Sequence, residues 1–160
     1  MTGNYWAWRG PARMMAETVD AAVTAAQAGE PEAFGEATAG LAALDREQLT
    51  VVLGTVTREL LERSHPDGLD SDDAQHVLSS AVKRSVAWYE PLDGAALLEA
   101  LIGALGVTDP DGVPHADPDA VLAHGVLLIT DQLTVLGEQL PPVLNYALDE
   151  LQRAQTMELP

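Results

Sequence analysis

Apolar residues recur at helical spacing along almost the whole of this 160-residue chain, and Gly, Pro and Asp cut the recurrence where helices start or stop. A chain patterned this way has few options: its helices must bury their apolar stripes against one another. The punctuation echoes itself. Glu30-Pro31-Glu32-Ala33, Ser71-Asp72-Asp73-Ala74 and Asp117-Pro118-Asp119-Ala120 each read as an acidic cap before an apolar stretch. Ser64-His65-Pro66-Asp67-Gly68 answers Thr108-Asp109-Pro110-Asp111-Gly112, and Glu47-Gln48-Leu49 answers Glu138-Gln139-Leu140. Repetition at such intervals predicts stacked helical hairpins.

The segments follow from these signals. Helices are expected over about 11–28, 31–44, 46–63, 71–89, 94–105, 117–136 and 138–155. The first carries Met15, Val19, Ala22, Val23 and Ala26 on one face. The third carries Leu49, Val52, Leu53, Val56, Leu60 and Leu61, and the fourth Val77, Leu78, Ala81, Val82, Val86 and Tyr89. The fifth is apolar nearly all round, which predicts a central position. The fold class is therefore all-α: six to seven helices as stacked antiparallel hairpins, in a small α-array or an irregular bundle. Helices two and three, four and five, and six and seven are the expected pairs. The domain spans 11–156, with an aromatic arm at 1–10 and a short tail at 157–160.

Composition narrows the function. Apolar residues make up 47% of the chain and rings only 4%, so the core is aliphatic. Cysteine is absent, which removes disulfides and thiolate metal sites. The net charge is −17, from 25 acidic and 8 basic residues. Such a surface opposes a phosphate backbone, so no direct nucleic-acid binding is expected. It suits a partner with a basic surface. The N-terminus has no apolar leader core, and the apolar run 95–107, broken by Glu99 and two glycines, is too short to cross a bilayer. The expectation is a cytoplasmic protein with no membrane partner.

Candidate chemistry is sparse. The loop from Asp109 to Asp119 is dense in carboxylates, but its Gly112 and Ala120 fall at the wrong places for a calcium-binding EF-hand loop. With the cluster Asp67, Asp70, Asp72, Asp73 and His76, it reads as turn and helix cap; no metal and no cofactor are expected. No serine lies in a nucleophile-elbow context, and His76 and His124 lie within helices. No catalytic residue is assigned. An enzyme or ligand-binding bundle with an interior pocket, using His76, His124 and Tyr146, is the alternative.

His65-Pro66-Asp67 between two helices resembles the signature of the J-domain co-chaperones. In that family the tripeptide follows a strongly basic helix that meets a heat-shock chaperone. Here Glu59 and Glu62 stand beside Arg58 and Arg63, and the family's Tyr-rich leading helix is missing. The resemblance extends to three residues.

The arm is the most suggestive local feature. Tyr5, Trp6, Trp8 and Arg9 cluster within ten residues of a ring-poor chain, and these are residue types that dominate binding interfaces. Trp88 joins them as a candidate contact, either as part of the same surface or as the ring against which the arm packs. The expected function is a non-enzymatic, acidic interaction module. Its partner is another protein or a second copy, because the apolar surface of helices five and six invites a homodimer. An acidic mimic that occupies a basic protein surface is a related reading.

Overall fold

The computed structural model describes residue 5, residues 7–107 and residues 116–158. Among these, seven helices and no strand occur: α1 Gly10–Ala28, α2 Pro31–Ala42, α3 Arg46–Ser64, α4 Ser71–Ser85, α5 Gly94–Ala104, α6 Pro118–Leu136 and α7 Leu140–Glu158. The all-helical expectation holds, in the form of an irregular bundle.

The helix ends follow local chemistry. Asp45, Asp70 and Asp93 cap α3, α4 and α5 by accepting from backbone amides, and Asp70 and Asp73 form a reciprocal capping box. Gly29 and Gly137 end α1 and α6 in the left-handed region, with φ of 65° and 67°. Each is followed by a Glu whose amide donates back to the closing turn, Glu30 to Ala25 O and Glu138 to Leu133 O, both at 3.0 Å. Only glycine enters this conformation without a Cβ penalty.

The stripes of α1 and α3 are buried as the spacing predicts. Helix α4 is shorter than expected. It ends at Ser85 rather than Tyr89, and Val86, expected inward, is 62% exposed. The cause is tertiary. Trp88 and Tyr89 leave the helix to meet Phe34 of α2 edge-on, with ring centroids 5.3 and 5.2 Å away.

The centre of the bundle is α6, where the sequence predicts α5. Helices α1 to α5 all pack on α6, and α3 also meets α5 and α7. Apart from α1 with α2 and α5 with α6, consecutive helices are not the principal packing pairs, so successive hairpins do not describe the core. Twelve consecutive residues of α6, 122–133, are buried. They divide the core in two. Leu127 and Ile129 join the side built from α1, α2, α3 and α7; Leu128 joins Leu61, Val77, Ala81, Leu97 and Leu101. Helix α6 is also the one described helix long and apolar enough to cross a membrane, and here its neighbours enclose it.

Four of the buried α6 residues are strongly polar, and three of them bond to neighbouring segments. Gln132 Oε1 lies 3.1 Å from Ser64 Oγ at the end of α3. Asp131 Oδ1 accepts from Arg84 Nε at 2.6 Å and from Ser80 Oγ at 3.1 Å, both on α4. His124 Nε2 accepts from the amide of Asp93, the cap of α5, at 2.9 Å. Thr130 donates to Val126 O of its own helix.

Asp131 is 1% exposed, and its Oδ2 makes no hydrogen bond among the described residues, so Arg84 compensates a buried charge. We expect Arg84→Leu to lower stability by about 3 kcal/mol, the low end for a broken buried pair because the guanidinium is partly exposed. Adding Asp131→Leu should recover most of that loss. Urea denaturation of the two variants checks this, and additive losses would contradict it.

Candidate functional site

The arm folds back on the bundle. Tyr5 is buried, and its hydroxyl donates to Asp20 Oδ2 of α1 at 2.6 Å. Asp20 is itself buried, and Thr24 lies 3.3 Å from its other oxygen. Burial first, then the hydrogen bond and charge of Asp20, push the Tyr5 pKa far above that of an ordinary phenol. The hydroxyl therefore remains a donor at any physiological pH. Three residues on, Trp8 is half-buried and donates its indole N–H to Asn145 Oδ1 of α7 at 2.7 Å. Arg9 is exposed. Trp6 lies outside the described residues.

Beside Trp8 runs a groove of about 390 Å³ between the start of α1 and the outer half of α7. Met15, Leu148 and Leu151 supply its apolar surface, and Gln48, Gln152 and Gln155 supply amides. Trp88 occupies another cluster, with Phe34, Tyr89 and His124, and packs over Gly29, where an added Cβ would stand 3.6 Å from its ring. Of the expected contact residues, Tyr5 is thus an anchor, Trp8 and Arg9 flank a groove, and Trp88 belongs to the α2–α6 seam.

Among the described residues, the titratable side chains singled out above do not come together at one site. His124 Nδ1 faces Ala120 O at 2.7 Å, and since a carbonyl only accepts, that nitrogen carries the proton while Nε2 accepts from Asp93. Burial holds its pKa below the ordinary imidazole value. His76 and Tyr146 are exposed, so the three residues do not share a pocket. Ser64, His65 and Asp73 stand in serine–histidine–aspartate order, with Ser64 Oγ 2.8 Å from His65 Nδ1. However, Ser64 Oγ also faces Leu61 O and Gln132 Oε1, and His65 Nε2 is 4.0 Å from Asp73, beyond hydrogen-bonding distance. The group closes the end of α3.

No three His, Asp or Glu side chains gather in metal-binding fashion among the described residues. Asp70 and Asp73 are engaged in their capping box and Asp119 pairs with Arg46. Asp109, Asp111 and His115 lie outside the described residues. A second cavity, of about 310 Å³, opens between α3, α5 and α6.

Basic side chains are largely consumed within the chain. Arg13, Arg46, Arg63, Arg84 and Arg153, five of the eight basic residues, each pair with a carboxylate of the chain itself. Arg58 donates to Ala104 O and closes the end of α5. With 25 acidic residues in all, the surface carries a large uncompensated negative charge.

Comparison with known proteins returns no match: no family model fits the chain, and no curated protein or solved structure resembles it significantly. Residue roles must therefore be tested on this chain itself. Tyr5→Phe removes a donor from a buried carboxylate and should lower stability by about 1–2 kcal/mol, measured by thermal or urea unfolding. An unchanged midpoint would mean that the arm is not anchored as described.

His124 sets a pH dependence. Its folded-state pKa is lowered, so below about 6.5 the unfolded chain takes up a proton that the folded chain refuses, and stability falls with pH. The stability advantage of the wild type over His124→Gln should narrow between pH 8 and pH 5.5. A constant difference would show that His124 does not titrate differently on folding.

Proposed function

We propose that this chain is a non-enzymatic, cytoplasmic binding module that engages a basic, amphipathic segment of a partner protein. The observation that carries the reading is the excess of 25 acidic over 8 basic residues, with five of the seven arginines already matched by carboxylates of the chain, which gives the surface a negative field that attracts a cationic partner. The groove beside Trp8 supplies what charge alone lacks. It pairs apolar contact from Met15, Leu148 and Leu151 with neutral amides, next to a half-buried tryptophan and the exposed Arg9 at its rim. A partner helix with Leu on one face and Lys or Arg on the other matches both features. A nucleic-acid backbone matches neither.

Self-association draws on less surface than the sequence expects. Val126, Leu127, Leu128 and Ile129 are all buried within the chain, as are Leu97 and Leu101. The large apolar residues left exposed there are Leu98 and Leu105 of the α5 region, with Val107 beyond, and Val135 near the end of α6. The second reading, a ligand-binding bundle, is favoured by the cavity between α3, α5 and α6.

The test uses two synthetic peptides of one composition, an amphipathic Leu/Lys helix and its scrambled form. The amphipathic peptide should bind more tightly in calorimetry, and its affinity should fall as salt rises. Trp8→Ala should weaken it about tenfold, consistent with the truncation of an interface aromatic. Equal affinity for both peptides, or indifference to Trp8→Ala, would reduce the attraction to unspecific charge and overturn the reading.

A further inference from the structure

The cavity between α3, α5 and α6 has a volume of about 310 Å³ and opens at the surface beside the start of α6. Leu53, Ala100, Ala104, Val121 and Leu122 give it a largely hydrocarbon wall. Its size falls at the small end of ligand pockets. The room for such a cleft between three packed helices has a local source.

Glycines supply it. Gly54 and Gly125 lie in the middle of α3 and α6, and Gly103 lies in the last turn of α5; all three line the cavity. Glycine is a poor residue inside a helix. Close packing of backbones is the usual reason to keep one, as at Gly40, where an added Cβ would come within 3.3 Å of Thr18 Cγ2. That reason fails here. A Cβ would stand 3.8 Å from Ala104 Cα at Gly54 and 4.0 Å from Leu53 Cδ1 at Gly125, and would meet nothing within 4 Å at Gly103. Alanine fits at all three positions, and at Gly54 and Gly125 its methyl group would stand beside Ala104 and Leu53, both in the cavity wall.

The polar groups define what can enter. Thr57 is 3% exposed and directs its hydroxyl proton to Leu53 O at 2.8 Å, so only its lone pairs face further partners. Glu99 places a carboxylate on the wall, where it accepts from the amide of Ala116 at 3.1 Å. Arg46 stands among the lining residues with its charge matched by Asp119. Thr50 adds a hydroxyl to the wall, and none of these side chains brings an unmatched positive charge to the cavity.

We infer that the cavity between α3, α5 and α6 is a binding site for a compact, uncharged, hydrophobic small molecule that carries a single hydroxyl or N–H donor. The hydrocarbon part fills the space beside Gly54, Gly103 and Gly125, and the donor is received by the oxygen of Thr57. An anion of the same shape is disfavoured by the net negative charge of the chain. The site is separate from the groove beside Trp8 and does not depend on the partner proposed for it.

The probe is 1-naphthol, with 1-naphthoate as the anion on the same carbon skeleton. Calorimetry on the full chain should show stoichiometric binding of 1-naphthol and at least tenfold weaker binding of 1-naphthoate. The double variant Gly54→Ala/Gly125→Ala separates a site from a packing defect. Its melting temperature should rise, because alanine is the better helix former, while its affinity for 1-naphthol falls about fivefold or more. Thr57→Val should weaken 1-naphthol and leave naphthalene unchanged. Absence of millimolar binding, equal binding of the anion, or a double variant that is stable yet binds undiminished would each overturn the assignment.

Discussion

Everything in this bundle depends on burying α6 on all sides. A helix with twelve consecutive buried residues cannot keep a polar face in water, yet this one carries His124, Asp131 and Gln132 within that run. Their hydrogen bonds must come from the surrounding segments. The cap of α5 supplies the partner of His124, α4 supplies those of Asp131, and the end of α3 supplies that of Gln132. Aliphatic packing alone tolerates sliding; these contacts set the register of each neighbour along the central rod. The polar residues of α6 thus fix one arrangement among the many that a Leu/Val/Ala core would accept.

The same division, aliphatic bulk and polar positioning, explains what could be read from the sequence. Stripes and caps are local. Met15, Val19, Val23, Leu49, Val52 and Leu60 are buried as spacing predicts, and Asp45, Asp70 and Asp93 cap. Centrality is not local. Helix α5 looks more central because it lacks polar residues apart from Glu99, whereas α6 wins through length and through polar groups whose partners lie 31 to 68 residues away. The end of α4 was hidden for the same reason, since Phe34 draws Trp88 and Tyr89 out of the helix. Asp20 reads as a surface acid until Tyr5 is seen against it. The cavity was beyond reach, because its glycines belong to three separate segments and only the fold brings them together.

The candidate contact residues illustrate a further limit. Tyr5, Trp8, Arg9 and Trp88 are chemically alike as interface residues, and the structure separates them by position. Tyr5 is buried and Arg9 exposed, while Trp8 and Trp88 are both half-buried and differ in their neighbours: Trp8 borders a groove, and Trp88 meets Phe34. Residue type identified large side chains with polar handles. The tertiary neighbours of each, a property of the whole chain, set its surroundings.

The bond between Trp8 and Asn145 joins positions 137 residues apart, and α1 packs on both α6 and α7. Helices α1 and α7 are therefore neighbours, and the rod on which α1 also packs is the sixth of the seven described helices. Helices α1 and α2 pack on each other, but each of α1 to α5 also rests on α6, so the core is finished only when α6 joins it. The molecule closes like a ring rather than growing like a stack. Its early helices thus depend on a late segment for much of their buried contact, which favours folding of the chain as one unit over stepwise folding from its first helices.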